Sequence, residues 1–288
     1  MPSTLDVHHA RGVAVSVARE AGALLRARIH GPLGIRPKGH SGDLTTSLDH
    51  EAEALIVARL RREFPQHRIV AEESGEHGQD SAWTWLVDPL DGTHNVAIGL
   101  PAYVVGLALC RNRRPVLGVI YDASTAQIWS AVRGAGTASL SGEIRARHRP
   151  TPHGPVLGWT QGYSVGRADS AACALKLTLE QHARRLLQLW APLLCWVMLV
   201  RGDIDGFVGY HPGAIDLPAG SLIAAEAGFS VVTLSGAPFD EAVSDATQRS
   251  FVAGHPDRIP ELLRLVTAAE ATQPGLRSLL GSHAALAR

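Results

Sequence analysis

The spacing of apolar and polar positions predicts a helix at the start of the chain. Val13, Val17, Leu24 and Leu25 recur near helical intervals among Arg19, Glu20, Arg26 and Arg28, so residues 13–29 read as amphipathic and stop at Gly31-Pro32. A second helical pattern covers residues 51–64. It follows a polar, glycine-bearing stretch, residues 38–49, in which Ser47 or Asp49 is the expected cap and Thr45 and Thr46 are ordinary turn residues. Residues 68–71 then read as a short strand running into Glu72-Glu73-Ser74, followed by a loop. Residues 83–87, rich in aromatic and branched side chains, read as a buried strand that delivers Asp88 at its end. Pro89 is expected to close that ladder, and Gly92 to permit a tight turn. Residues 103–110, 116–121 and 127–132 form the pattern of an antiparallel meander.

A break in composition over residues 148–155 is the expected boundary between an N-terminal unit, residues 1–150, and a C-terminal unit, residues 151–288. Beyond it the pattern predicts a strand at 156–160, a helix over 168–185 and a buried helix over the apolar run 186–200. That run contains Gln188 and Pro192 and falls short of the roughly 18–20 residues needed to span a bilayer. A short strand at 204–208 follows. Asp216 stands where a helix cap should stand, and Gly228 where that helix should end. Strands at 230–234 and 251–253 and a helix at 260–269 complete the pattern, with the last dozen residues poorly anchored.

Composition and charge narrow the function classes. An apolar content of 45% over 288 residues is ample for a large core, and 27 basic residues balance 27 acidic ones. No overall field recruits nucleic acid or a membrane, so any anionic ligand must be captured locally. Cys110, Cys173 and Cys195 form no Cys-x-x-Cys pair and no even disulfide set, which fits a cytoplasmic protein.

The candidate chemistry lies where the strand at 83–87 stops. Asp88 and Asp91, three residues apart on a sharp turn, can converge on one cation, and the amides beyond them at Gly92 can face an anion. Glu72, at the end of another short strand, can point at the same place if the two strands lie side by side.

These blocks carry a resemblance. Asp-Pro-Leu-Asp-Gly-Thr-His-Asn at 88–95, preceded by Ala-Glu-Glu-Ser at 71–74 and Gly-Asp-Leu-Thr-Thr-Ser-Leu-Asp at 42–49, is followed by Asp-Leu-Pro-Ala-Gly at 216–220 and Glu-Ala-Gly at 226–228. In their order and spacing they resemble the inositol monophosphatase family, lithium-sensitive, magnesium-dependent phosphatases related to the fructose bisphosphatases. The resemblance implies an α/β, layered αβαβα sandwich and commonly a homodimer. It assigns one Mg²⁺ to Glu72, Asp88 and the carbonyl of Leu90, a second to Asp88, Asp91 and Asp216, and a weaker third to Glu72. Hard oxygen donors suit that ion. It further implies that Asp49 and Thr93 activate the attacking water with Glu72 among the catalytic groups, and that Gly92, Thr93, Asp91 and Lys38 lie about the phosphate.

The alcohol side departs from the family pattern. Residues 185–194 lack its usual small residues, Ile215 replaces a tryptophan, and Gly209 replaces the acid that holds inositol hydroxyls. His94, Gln161, Tyr163 and His211 are the candidate substitutes. The expected activity is hydrolysis of a small phosphorylated alcohol: a sugar, cyclitol, histidinol or nucleoside monophosphate. A 3′-phosphoadenosine or fructose bisphosphate phosphatase is the second reading, and an inactive scaffold relative the third.

Overall fold

The computed structural model describes residues 6–39, 42–139, 142–146, 153–243 and 249–283. Helix α1 (Val7–Arg28) begins before the amphipathic pattern does, because the Asp6 side chain accepts from the amides of His8 and His9 and caps it. Strands β1 (Arg36–Lys38) and β2 (Asp43–Thr45) pair as a small hairpin that leads into α2 (Ser47–Glu63). The cap of α2 is Thr46, not Ser47 or Asp49. Asp49 sits in the first turn and closes a capping box by accepting the Thr46 amide at 2.8 Å.

Next come β3 (Arg68–Ala71), β4 (Gly75–His77), in a stretch expected to be loop, and β5 (Trp83–Asp91). Pro89 does not end β5: the pairing with the following strand shifts register between Asp88 and Asp91, and a proline inside that irregularity removes no ladder bond. The one-turn helix α3 (Thr93–Ala97) then precedes the meander β6 (Val104–Arg111), β7 (Arg114–Asp122), β8 (Gln127–Val132), β9 (Thr137–Ser139) and β10 (Gly142–Ile144).

The second half holds β11 (Val156–Gln161), α4 (Ser170–His182), β12 (Arg185–Leu187), α5 (Pro192–Arg201), β13 (Gly206–Tyr210) and α6 (Pro218–Glu226). The chain closes through β14 (Ser230–Val232), β15 (Phe251–Gly254) and α7 (Ile259–His283). The apolar run 186–200 is not one helix. Its first residues join β12 at a sheet edge, and α5 starts at Pro192, a first-turn position where the missing amide costs nothing. Asp216 does not cap α6 either, since Leu217 occupies that place and no side chain caps it. Helix α7 runs well past the expected residue 269. Of the expected boundary, residues 148–152 lie outside the described residues.

Besides the two-stranded β1-β2 hairpin, two larger sheets carry the strands. The larger has eight strands in the order β10-β9-β8-β7-β6-β5-β3-β4, and the smaller five in the order β12-β11-β13-β15-β14. Three separate apolar clusters show how they stack. Alternation along β6 sends Val105, Leu107 and Leu109 toward α1 and α2, and Val104, Ala108 and Cys110 toward α5 and α6. The second cluster joins Trp196 on α5 to Phe207 and Phe251 on the smaller sheet, and the third seats α4 and α7 on that sheet's far face through Leu175, Leu179, Leu262 and Val266. The result is the expected five-layer α/β sandwich. Among the described residues no helix is long and apolar enough to cross a membrane.

Candidate active site

The larger sheet brings the first two acids together. β3 and β5 run parallel with Ala71 opposite Val87, so Glu72 and Asp88 leave adjacent strands at the same level. Their carboxyls lie within hydrogen-bonding reach of each other. The shift in register at the end of β5 turns Asp91 into the interior, where it caps a helix of the other half of the chain. Its Oδ2 accepts from the amides of Leu193 at 2.7 Å and Leu194 at 3.2 Å, at the start of α5. Asp216, on the approach to α6, accepts the Gly213 amide at 3.2 Å.

Four carboxyls thus share one neighbourhood. Burial drives Asp88 well above the carboxylate range, and the charges of Glu72, Asp91 and Asp216 add to it. Burial and then Asp216 raise Asp91 well above that range as well, against the amides of α5. Glu72 is pushed up to about 7, by burial first, with Lys38 opposing. Asp216 rises to about 6, again chiefly by burial. The nearest cation is Lys38, whose Nζ donates to Glu72 Oε1 at 2.9 Å and Glu73 Oε1 at 2.7 Å. It is raised above the usual lysine range: burial opposes its charge, but Glu72 and Glu73 outweigh that opposition.

Asp49 and Thr93 meet across a long stretch of chain. Thr93 Oγ1 donates to Asp49 Oδ1 at 2.8 Å and lies 3.1 Å from the Leu90 carbonyl, which leaves its oxygen lone pairs open to a donor. Asp49 is buried, and burial raises its pKa against the Thr46 and Thr93 hydrogen bonds. Gly92 adopts φ of 114°, and a Cβ there would stand 2.6 Å from the Ala102 carbonyl oxygen, so only glycine makes this turn.

A cavity of about 760 Å³ opens beside the acids and is lined by Glu72, Asp216, His94, Gln161, Tyr163 and His211 among others. Four contributors were missed from the sequence. Glu53 accepts the amides of Glu73 and Ser74 at 2.7 and 2.8 Å and fixes the turn that carries Glu72. Its signal was a charge on the apolar face of α2, between Ala52 and Ile56. Glu73 pairs with Lys38, Asp43 lies 3.8 Å from His94 Nε2, and Trp190 packs beside the His94 ring; these long-range pairings leave no local pattern.

The donor set suits a hard divalent cation: four mutually repelling carboxylates, of which Asp88 and Asp91 are buried and Glu72 and Asp216 half-buried, and a backbone carbonyl, opposed by one lysine. Among the described residues, no group of three or more His, Cys, Asp or Glu side chains stands ready to hold a metal ion as placed. Several of the oxygens concerned are turned to protein donors, namely Lys38, the α5 amides and the Gly213 amide.

The pattern of the inositol monophosphatase family matches residues 6–270. The chain belongs to that family. Among relatives of this inositol monophosphatase family member, inositol monophosphatase 1 of Solanum lycopersicum is 31% identical over 80% of this chain and 86% of its own. The Nus factor SuhB of Escherichia coli K12 is 32% identical over 80% of this chain and 87% of its own. Among solved structures, the inositol monophosphatase of Thermotoga maritima superposes with a TM-score of 0.78 at 26% identity, covering 90% of this chain and 97% of that one. The SuhB protein of Bartonella henselae gives 0.79 at 26% identity, over 88% and 97%. The family member described here is accordingly a phosphoric monoester hydrolase.

Proposed function

We propose that this phosphatase is magnesium-dependent and hydrolyses a small phosphorylated alcohol by direct attack of water. The observation that carries the reading is the convergence of buried Asp88 and Asp91 with half-buried Glu72 and Asp216, with Lys38 as the facing cation, beside a cavity large enough for such an ester. Glu72, Asp88, Asp91, Asp216 and the Leu90 carbonyl would hold two or three Mg²⁺ ions. When bound, Mg²⁺ lowers the pKa of water and neutralises charge on phosphoryl oxygens.

The chain's own residues supply the rest. Thr93 accepts a hydrogen bond from the attacking water and passes the proton on through its donated bond to Asp49 Oδ1. Burial makes Asp49 the stronger base for that role. The Gly92 turn presents its amide and that of Thr93 to the phosphate, and the Thr46 amide on Asp49 Oδ2 keeps the base oriented. No cysteine is placed to act as nucleophile: Cys110 and Cys195 are buried, burial pushes both thiols up, and half-buried Cys173 on α4 is not part of the cavity lining.

Phosphate release from a panel of monoesters, with Mg²⁺ and with chelator, tests the reading. Turnover that requires Mg²⁺ and is inhibited by Li⁺ is the expected result; a folded protein inactive on the whole panel would overturn it. Light scattering of the purified protein checks the homodimer that the resemblance implied.

A further inference from the structure

The chain has fifteen Phe, Tyr and Trp residues, and the exposed ones are Tyr163 and Trp190, 47% and 46% open. Both line the cavity beside the acids. An aromatic ring left in water forgoes the burial that would normally stabilise it, so two of them converging on one cavity mark a surface set aside for something planar. Neither stands alone. The His94 ring lies 5.6 Å from that of Tyr163 at an interplanar angle of 24°, and 5.8 Å from that of Trp190 at 46°. These rings come from distant segments: His94 follows Thr93 in α3, Tyr163 follows β11, and Trp190 precedes α5. A second stacked pair, Tyr210 and His211 at 4.2 Å and 13°, puts the His211 ring on another part of the lining.

The same cavity is poorly equipped for a polyol. At Gly209, an added Cβ would meet the Phe251 ring at 2.2 Å, so the position where an acid would hold ring hydroxyls has no room for a side chain. Two of the lining acids, Glu72 and Asp216, are taken by the metal reading, and the third, Asp43, faces His94.

We propose that His94, Tyr163 and Trp190 form a stacking subsite that selects phosphate esters whose alcohol carries a planar heteroaromatic ring over esters of polyols. His94 is adjacent in sequence to the phosphate turn, so a ring a few bonds from the phosphate reaches this wall while the phosphate rests at Gly92 and Thr93. The inference rests on the phosphomonoesterase reading of the site.

The test compares kcat/KM, with Mg²⁺, for a nucleoside monophosphate, an imidazole-alcohol phosphate, inositol 1-phosphate and glycerol 2-phosphate. Stacking of one ring corresponds to about tenfold, so at least one ring-bearing ester should exceed both ringless ones by that factor. Which of the two it is distinguishes a nucleobase from an imidazole. Trp190→Ala and Tyr163→Ala should each lower kcat/KM for the ring ester about tenfold more than for glycerol 2-phosphate, mainly through KM, and Trp190→Phe should restore most of the difference. Preference for inositol 1-phosphate, or an equal loss on all four esters, would overturn the proposal. If no ester is turned over, the phosphatase reading fails and calorimetry decides the subsite: a nucleoside monophosphate and an imidazole-alcohol phosphate that both bind wild type and Trp190→Ala equally, or not at all, contradict it.

Discussion

The two sides of the cavity are built differently. The side proposed to hold the phosphate rests on strand ends and tight turns whose backbone is fixed by pairing: β3 beside β5, Thr46 and Asp49 in a capping box, Gly92 wedged against Ala102. The side proposed to meet the alcohol rests on segments between elements, with Tyr163 after β11, Trp190 before α5 and His211 after β13. On the proposed reading, chemistry that must hold charges in place is set on the rigid scaffold, and selection among leaving groups is left to loops that can change without disturbing it. Asp91 ties the two together, because the carboxyl at the end of β5 also caps α5, the helix that follows Trp190.

This contrast can be broken most sharply from the phosphate side. Asp88→Asn should cut kcat by about a thousandfold or more, since the several kcal/mol supplied by metal binding at this acid are lost. The melting temperature of the metal-free protein should hold or rise, because one of four mutually repelling groups is neutralised. Thr93→Val removes the proton path to Asp49 and should cost roughly 10²–10⁴ in kcat at little change in KM. Gly92→Ala should destabilise by about 1–3 kcal/mol in denaturant unfolding, because a Cβ cannot fit against the Ala102 carbonyl at this φ.

The smallest effect is on pH dependence. Glu72 at about 7 and Asp216 at about 6 bind more protons folded than they do unfolded, where carboxyls titrate near about 4. Between those values the metal-free fold therefore loses stability as pH rises. Added Mg²⁺ should raise the melting temperature more at pH 8 than at pH 5, and an equal gain at both would argue against these acids as its ligands.

What could be read from the sequence follows from the same contrast. Strand periodicity located β3 and most of β5, and the short motif around Asp88 carried the acids with it, because those residues act within a few positions of one another. The apolar pattern could not divide residues 186–200, since a short apolar edge strand and a buried helix look alike without periodic polar positions. Asp216 looked like a cap because Asp before Pro-Ala-Gly suits a helix start, yet its carboxyl is directed to Gly213 and to the other acids. The Asp91 hydrogen bonds to α5, the Glu53 bonds to the Glu72 turn and the ring cluster about His94 join residues far apart in the chain. No local spacing could announce them.

The most direct test of the central claim is phosphate release across a Mg²⁺ titration, for wild type and Asp216→Asn. The site predicts no turnover in chelator, saturable activation by Mg²⁺ in the wild type, and loss of that activation in the variant despite an intact fold by circular dichroism. Full turnover in chelator, or wild-type activation in Asp216→Asn, would contradict a magnesium site assembled from both halves of the chain.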